Sequence, residues 1–169
     1  MIRRTGRLQI REDDDMSKEY RTIRNDVSLP YRWSLGPVWT RFFDGLQDEK
    51  IYGTKCTQCN KVLVPARPFC PGCFGAMTEW VEVGQEGTVT SWTLVENRYY
   101  GQIKEPPYIM ALIQLDGTDC SFSHFIGGID VTDVEAVKEK VTAGTRVRAK
   151  WSQDKHADMY DIAYFEPVS

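Results

Sequence analysis

Apolar side chains recur at helical spacing directly after Pro37, with polar side chains between them. Proline suits the first turn of a helix because the amide hydrogen that it lacks would have no partner there. Trp39, Phe42 and Phe43 fall on the apolar face of this predicted helix, which covers residues 36–50. The face packs either in the chain's own core, which is the simpler interpretation, or on a partner protein.

The pattern changes from helical to alternating after residue 78, which is typical of strands. Segment 145–151 alternates most clearly, because Val147 and Ala149 point one way and basic residues point the other. The run Tyr108–Leu115 is apolar at nearly every position, and we expect both of its faces to be covered. Strands are predicted over residues 79–83, 88–96, 108–115, 121–126, 145–151 and 160–165.

Residues 1–35 have few apolar positions and include the acidic run Asp13–Asp15. Such a composition predicts an extended, flexible arm, or one that orders on a partner. Tyr31 and Trp33 lie near the end of this arm, next to prolines. Large aromatic side chains in an extended segment either cover the chain's own domain or dock on a neighbouring protein, and both alternatives stay open.

Four of the five cysteines form two C-x-x-C pairs, Cys56 with Cys59 and Cys70 with Cys73. A C-x-x-C turn directs two thiolates at one point, so two facing turns complete a tetrahedral sulfur site. The spacing predicts a zinc ribbon over residues 51–78. Zinc is favoured, although four thiolates also suit a rubredoxin-type iron. A closed four-ligand site leaves no position for a substrate, so we expect the metal to be structural.

Two other uses of the cysteines fit the sequence less well. Disulfides would require a secreted protein, but the N-terminus lacks the apolar core of a secretory signal, and five cysteines leave one unpaired. A redox dithiol needs one C-x-x-C at the start of a helix, not two that face each other. We therefore expect a reducing, cytoplasmic compartment.

Short strands with glycine turns follow the ribbon, together with one or two helical turns over residues 131–140. This combination predicts a closed or nearly closed β-barrel of the OB type over residues 79–169. The predicted fold is therefore mainly β, with an N-terminal helix, a four-cysteine zinc ribbon and a C-terminal OB-fold barrel.

Charge and hydrophobicity argue against two classes of partner. The 169 residues carry a formal net charge of −3, which disfavours a nucleic acid held by bulk electrostatics. No run approaches the roughly 18 or more apolar residues of a membrane span.

No catalytic set is evident in the sequence. The chain has two histidines, and His124 stands four residues from Cys120 on one strand. At about 3.3 Å per residue the two are separated by roughly 13 Å, too far for a thiolate–imidazole pair. We expect His124 to be structural, Cys120 to act as a small buried hydrophobe, and the chain to be inactive by itself.

Basic residues at two places allow a structural and a functional interpretation. Arg146, Arg148 and Lys150 form either the solvated face of a strand or a landing site for the phosphates of a ligand or an acidic patch. Arg67 either braces the thiolate cage, whose negative charges outnumber the positive charges of the metal, or reaches outward to a phosphate.

The order of helix, four-cysteine ribbon and small barrel resembles the "domain of unknown function 35" family, a rubredoxin-like zinc ribbon fused to an OB-fold. The resemblance runs from about residue 30 to the C-terminus. It is carried by residues in all three parts of the chain: Gly36–Leu46, Cys56-x-x-Cys59, Pro65-x-Arg67-x-x-Cys70-Pro71-x-Cys73, Trp80, Gly87-Thr-Val-x-Ser-Trp-Thr93, Pro107-Tyr108, Leu115-Asp-Gly117, His124, Gly144-x-x-Val147 and Trp151.

The chain departs from the family pattern at one kind of position. We expect glycine after the second ligand of each cysteine pair, but Asn60 and Phe74 stand there. Asparagine tolerates a left-handed turn passably and phenylalanine less well. The second turn is therefore expected to be distorted unless Gly72 relieves it.

The resemblance implies a role that the residues alone did not. Proteins of this family are similar to non-catalytic partners of acyl-CoA enzymes, namely thiolases, hydroxymethylglutaryl-CoA synthases or lipid-transfer-type aldolases. The resemblance implies a hetero-oligomer in which a thiolase-fold or aldolase subunit carries the active site and this chain stabilises it and shapes its acyl-CoA site. The candidate interface residues are aromatic: Tyr31, Trp33, Trp39, Phe42 and Phe43.

Two further hypotheses remain. A stand-alone acyl-CoA-binding module would hold phosphates with Arg67 and the basic stripe of Arg146, Arg148 and Lys150. A nucleic-acid-binding OB protein rests on fold analogy alone, and the acidic balance of the chain counts against it.

Overall fold

The computed structural model describes residues 31–99 and 101–168. The chain divides into two units, residues 1–33 and residues 34–169. In the first unit, Tyr31 to Trp33 are described; they form no helix or strand, and the side chains of Tyr31 and Trp33 are exposed. Most of the predicted arm, residues 1–35, lies outside the described residues.

The described part of the second unit contains two α-helices, a three-stranded sheet and a closed five-stranded barrel. Helix α1 (Gly36–Gln47) comes first. The sheet has the order β2-β1-β3, and the barrel has the order β4-β5-β6-β8-β7. A short helix α2 lies between β6 and β7. This confirms the predicted mainly β fold. The bounds are β1 Ile51–Lys55, β2 Val62–Leu63, β3 Glu79–Val83, β4 Glu86–Val95, β5 Tyr108–Leu115, β6 Ser121–Ile126, α2 Val134–Lys140, β7 Arg146–Trp151 and β8 Ile162–Pro167.

Helix α1 buries its apolar face in the chain's own core. Phe42 and Leu46 are inaccessible to solvent, and Phe43 is buried beside them. Packing within the chain already covers these side chains, which favours the simpler interpretation that Phe42 and Phe43 belong to the chain's own core. Trp39 is half-buried and meets Phe43 edge-on, with ring centroids 5.8 Å apart.

Strand β3 is placed differently from the prediction, which grouped residues 79–83 with the barrel. It pairs antiparallel with β1 along its full length, from Ile51 opposite Val83 to Lys55 opposite Glu79. The barrel starts at β4 instead. Strand β3 therefore completes the ribbon sheet before the chain enters the barrel.

The barrel strands largely follow the predicted alternation. Val147 and Ala149 on β7 point into the core as expected. On β5, Ile109 and Ile113 are buried, but Leu112 is 44% exposed, so the expectation that both faces of this strand are covered is wrong. Leu112 stands in register with Ser123 of β6 on the outer side of the barrel, where such small polar neighbours leave it open to solvent.

The ribbon sheet is joined to the barrel by the turn between β5 and β6. Asp119 donates its amide hydrogen to the carbonyl of Val62, and its carboxylate accepts from the amide of Val62, at 2.9 and 2.8 Å. The thiol of Cys120 lies 3.2 Å from both the amide nitrogen and the carbonyl oxygen of Val64. Cys120 therefore makes polar contacts with the ribbon backbone, in addition to its expected role as a small apolar side chain.

One buried cluster spans the helix, the ribbon sheet and the barrel. It includes residues from all three parts, among them Phe42, Ile51, Val64, Val83, Ile113 and Phe165. This shared core makes the ribbon sheet and the barrel a single folded body. Among the helices of the described residues, none combines the length and the hydropathy that crossing a bilayer requires.

His124 on β6 is buried among aromatic rings of the barrel. Its ring centroid lies 5.7 Å from that of Phe122 and 5.6 Å from that of Phe165. Its Nε2 lies 3.0 Å from the carbonyl oxygen of Met159, to which it donates a hydrogen bond. Burial of the ring lowers the pKa of His124 despite this hydrogen bond, and the ammonium of Lys104 adds to the effect. These surroundings favour the predicted structural role.

We predict that the fold loses stability on mild acidification because of His124. In the unfolded chain His124 takes up a proton near pH 6.5, whereas burial keeps the folded ring neutral to lower pH. The contribution of His124 to the free energy of unfolding is therefore fully present above pH 6.5 and decreases below it. Between pH 7.5 and 5.5 the loss attributable to His124 has an upper limit of about 1.4 kcal/mol, which applies if the folded ring takes up no proton in this range. Urea unfolding at both pH values measures it. His124→Gln should show a smaller loss, and an equal loss in both proteins would contradict the prediction.

Candidate metal centre

The structure brings the four predicted cysteine ligands together at the end of the ribbon sheet. All four sulfur atoms lie within 4.8 Å of one another. The Sγ atoms of Cys56 and Cys73 are 3.4 Å apart, and those of Cys59 and Cys70 are 3.6 Å apart. Each short contact joins one cysteine pair to the other, so the two C-x-x-C turns face each other.

These separations fit a tetrahedrally coordinated metal ion. Sulfur atoms at about 2.3 Å from a central zinc are roughly 3.8 Å from one another. The two short contacts of 3.4 and 3.6 Å are slightly below this value, and all four sulfur atoms lie within 4.8 Å of one another. Four cysteine sulfurs are a donor set typical of zinc, and a rubredoxin-type iron has the same geometry.

The two cysteine loops have matching backbone hydrogen bonds. In the first loop, the amide of Cys56 donates to the carbonyl of Lys61, and the amide of Asn60 donates to the carbonyl of Cys56. In the second loop, the amide of Cys70 donates to the carbonyl of Gly75, and the amide of Phe74 donates to the carbonyl of Cys70. Positions 60 and 74 are therefore structurally equivalent.

Amides within the loops also point at the sulfur atoms. The amide nitrogens of Gln58 and Cys59 lie 3.4 and 3.5 Å from the Sγ of Cys56. Donation from the amides of Cys59 and Gln58 lowers the pKa of Cys56 to about 6. The amides of Cys73 and Gly72 likewise lower the pKa of Cys70. The first cysteine of each pair is thus prepared as a thiolate, the form that binds metal.

The pKa of Cys73 is shifted in the opposite direction. The amide of Gly75 favours its thiolate, but the neighbouring thiol of Cys56, burial and the other two cysteines outweigh it and raise the pKa of Cys73 to about 12. Negative charge on neighbouring sulfurs opposes ionisation of this one. A cation among the four sulfurs favours the ionised form of each.

Asn60 and Phe74 both adopt left-handed backbone conformations, each with φ of +58°. This is the conformation for which glycine was expected at these positions. Gly72 is not left-handed, so it does not relieve the second loop, and Phe74 itself carries the strain. The loop keeps its hydrogen-bonding pattern without the expected distortion.

Gly75 is required by the close approach of the two loops. A Cβ atom at this position would lie 2.9 Å from the side chain of Gln58 and 3.2 Å from the Sγ of Cys56.

Thr54, which is fully buried on β1, links this strand to the segment before the second cysteine loop. Its hydroxyl donates to the carbonyl of Arg67 and accepts from the amide of Arg67, at 2.9 Å each. Sequence patterns identified neither role, since both depend on a contact with a distant residue.

The four predicted ligand-binding basic residues do not form one free cationic surface. Arg146 forms a forked ion pair with Asp116 at 2.7 and 2.6 Å, and it also contacts Glu86. The Nε of Arg148 donates to Glu86 at 2.9 Å. Hydrogen bonds from these guanidinium groups lower the pKa of both carboxyl groups. Two carboxylates therefore compensate the two arginines, which favours the structural interpretation of these residues over a phosphate landing site.

Arg67 and Lys150 differ from these two arginines. Lys150 is exposed and forms no ion pair with another described residue. Arg67 is exposed as well, and the contacts that fix its position come from its backbone. Phosphate binding by either residue stays a prediction.

Two family models match consecutive parts of the chain. The model described as "ChsH2, rubredoxin-like zinc ribbon domain" matches residues 43–78. The model described as "ChsH2, C-terminal OB-fold domain" matches residues 80–152. A curated relative from Pyrococcus furiosus, a "DUF35 domain-containing scaffold protein", is 36% identical over 67 residues, which are 40% of this chain and 48% of that protein. The chain spans about half the length of this relative.

Solved structures with the same fold include two with similar coverage. A protein of unknown function from the DUF35 family of Sulfolobus solfataricus has a TM-score of 0.55 and 26% identity, and the match covers 78% of this chain and 84% of that chain. A structure described as "Ltp2-ChsH2(DUF35) aldolase" has a TM-score of 0.54 and 23% identity, with coverage of 75% and 91%.

We predict that replacing one cysteine of the sulfur site releases the metal and unfolds the ribbon. Metal binding in small ribbons contributes on the order of 10–16 kcal/mol to folding, so Cys56→Ser and Cys70→Ser should each remove it. Elemental analysis and thermal unfolding measure the two effects. Cys120→Ser is the matched control, because Cys120 lies outside the site, and it should keep the metal. Unchanged metal content in Cys70→Ser would contradict the prediction.

We also predict that the strain at Phe74 is measurable. Phe74→Ala removes the ring but keeps a side chain in the left-handed region, whereas Phe74→Gly removes both. The relieved strain of about 1–2 kcal/mol exceeds the roughly 0.5–1 kcal/mol entropic cost of glycine. The glycine variant should therefore be more stable than the alanine variant by about 0.5–1 kcal/mol in unfolding of the metal-loaded protein. Equal stabilities would contradict the prediction, because they would show that the strain at position 74 does not exceed the entropic cost of glycine.

Proposed function

Because the chain belongs to the ChsH2-type DUF35 family, in which a rubredoxin-like zinc ribbon precedes an OB-fold, we propose that it is a non-catalytic accessory subunit. In this role it binds and stabilises a larger enzyme that acts on acyl-CoA thioesters. The metal has a structural role, and the chain works as part of a hetero-oligomer in the cytoplasm.

The observation that carries this proposal is the way the ribbon is built into the barrel. The sulfur site takes four protein ligands, which is the arrangement of structural rather than catalytic zinc. The ribbon sheet and the barrel share one core and are joined through the contacts of Val62 and Val64 with the turn at Asp119 and Cys120. Such a rigid body is suited to presenting a surface to another protein.

Cys120 and His124, two reactive residues outside the sulfur site, have side chains that make structural contacts. The thiol of Cys120 lies against the backbone of Val64, and the imidazole of His124 is buried and bonded to the carbonyl of Met159. Within the described residues, the two are not arranged as a nucleophile and its base. This supports a partner that supplies the catalytic groups.

The names of similar proteins support an enzyme as the partner. One relative is called a scaffold protein, and one structure with this fold is called an aldolase that contains a DUF35 chain. The proposed partner is a lipid-transfer-type aldolase or a thiolase-fold enzyme. Direct binding of acyl-CoA by this chain alone is less well supported, since Glu86 and Asp116 compensate the charges of Arg146 and Arg148.

The proposal is tested by purifying the tagged full-length chain from its native cells and identifying what comes with it by mass spectrometry. We expect a thiolase-fold or aldolase subunit. Re-expressed with this chain, that subunit should cleave acyl-CoA substrates faster than it does alone, while the chain alone should be inactive. Thiolysis and retro-aldol assays distinguish the two partner classes. A monodisperse, autonomous chain without such a partner would count against the proposal.

A further inference from the structure

The two cysteine loops share one backbone conformation but present opposite chemistry to solvent. The first loop presents four exposed side chains that are polar: Thr57, Gln58, Asn60 and Lys61. The second loop presents four exposed residues that are apolar: Phe69, Pro71, Gly72 and Phe74. We call residues Phe69–Phe74 the aromatic loop. Since both loops hold the same sulfur site, metal binding does not explain the difference.

Phe74 is unfavourably placed in the isolated chain in two respects. Its side chain is 81% exposed, and that of Phe69 is 65% exposed. Neither belongs to the buried cluster of the ribbon, which forms around Leu63 and Met77. The backbone of Phe74 is also left-handed, a conformation that the equivalent Asn60 adopts more easily. Backbone strain that brings no packing within a chain is characteristic of functional sites.

We propose that the aromatic loop is a docking element that inserts Phe74, with Phe69 beside it, into an apolar pocket on the enzyme subunit bound by this chain. The inference rests on the proposed function and specifies the surface that carries it out. Exposed aromatic side chains on a rigid support are typical anchors of protein interfaces. The sulfur site and the shared core supply that rigidity.

The chemistry of the aromatic loop favours a folded protein as its binding partner. A turn with a ring this exposed projects into solvent, so its complement is a concave apolar surface rather than a small ligand. Between residues 67 and 77 the only charged side chain is that of Arg67, and the whole chain carries a net charge of −3. Both facts are unfavourable for binding the phosphates of a nucleic acid.

A second copy of this chain is a less suitable receptor. One cleft among the described residues, of about 180 Å³, is lined by Thr88, Gln114 and Asp116 with their neighbours. Another, of about 450 Å³, is lined by Arg98, Tyr99, Gly101 and Gln102. Charged and amide side chains in these walls are poorly matched to a phenylalanine ring, so neither of these two clefts favours a second copy as the occupant.

The test uses Phe74→Asn in the full-length, metal-loaded chain. Asparagine already occupies the equivalent position of the first loop and tolerates the left-handed conformation better, so the variant should keep its metal and unfold at the same temperature or a higher one. Its affinity for the enzyme subunit that co-purifies with the chain, measured by calorimetry with both proteins pure, should fall at least about tenfold. Phe69→Ser, a second variant away from the left-handed position, should also weaken binding. Lys61→Ala in the first loop is the matched control and should bind like the wild type.

The outcomes of these experiments distinguish a failure of the inference from a failure of the proposed function. Wild-type affinity in both Phe74→Asn and Phe69→Ser overturns the inference and leaves the accessory role standing. Absence of any thiolase-fold or aldolase partner for the wild type overturns both. If sedimentation shows that the wild-type chain dimerises and that Phe74→Asn abolishes the dimer, the occupant is a second copy and the inference is wrong. A photo-crosslink to the enzyme subunit from a benzoylphenylalanine at position 74, but not at position 61, supports it.

Discussion

The convergence of four sulfur atoms is the constraint on which the ribbon depends. Apart from the cysteines, the buried cluster of the ribbon contains only Leu63 and Met77 among the described residues. So small a cluster does not offset the conformational entropy lost when two loops become ordered. Binding of a metal by four thiolates is strong enough to do so. The amides that point at Cys56 and Cys70 prepare the site by favouring their thiolates before the metal arrives.

The order created at the sulfur site reaches the barrel through two kinds of contact. Apolar packing joins α1, the ribbon sheet and the barrel in a single core. Backbone contacts join Val62 and Val64 to the turn at Asp119 and Cys120. A ribbon attached by only one of these would be able to rotate or slide against the barrel. With both, the cysteine loops keep a fixed position on the body of the protein, as the proposed accessory role requires.

Two parts of the surface of this body differ in their chemistry. On the barrel, Glu86 and Asp116 compensate Arg146 and Arg148, so two of the three positive charges of the basic stripe are neutralised. On the ribbon, one cysteine loop is polar, whereas the other exposes aromatic rings. Recognition by this protein is therefore better explained by shape and apolar contact than by a field of positive charge. This distinction also separates an accessory role from a phosphate-binding role within the same fold.

The sequence by itself determined the features that depend on neighbours along the chain. Cysteine spacing identified the four ligands, alternation placed Val147 and Ala149 inside, and the limits of β5 and β6 followed from apolar runs between turns. The positions of Asn60 and Phe74 also marked the two left-handed turns. Only the tertiary structure decided the features that depend on a remote segment: the pairing of β3 with β1, the burial of Phe42, the exposure of Leu112 and the ion pairs of Arg146. The physical reason is that burial and charge compensation are properties of a contact, and one partner of each contact lies elsewhere in the chain.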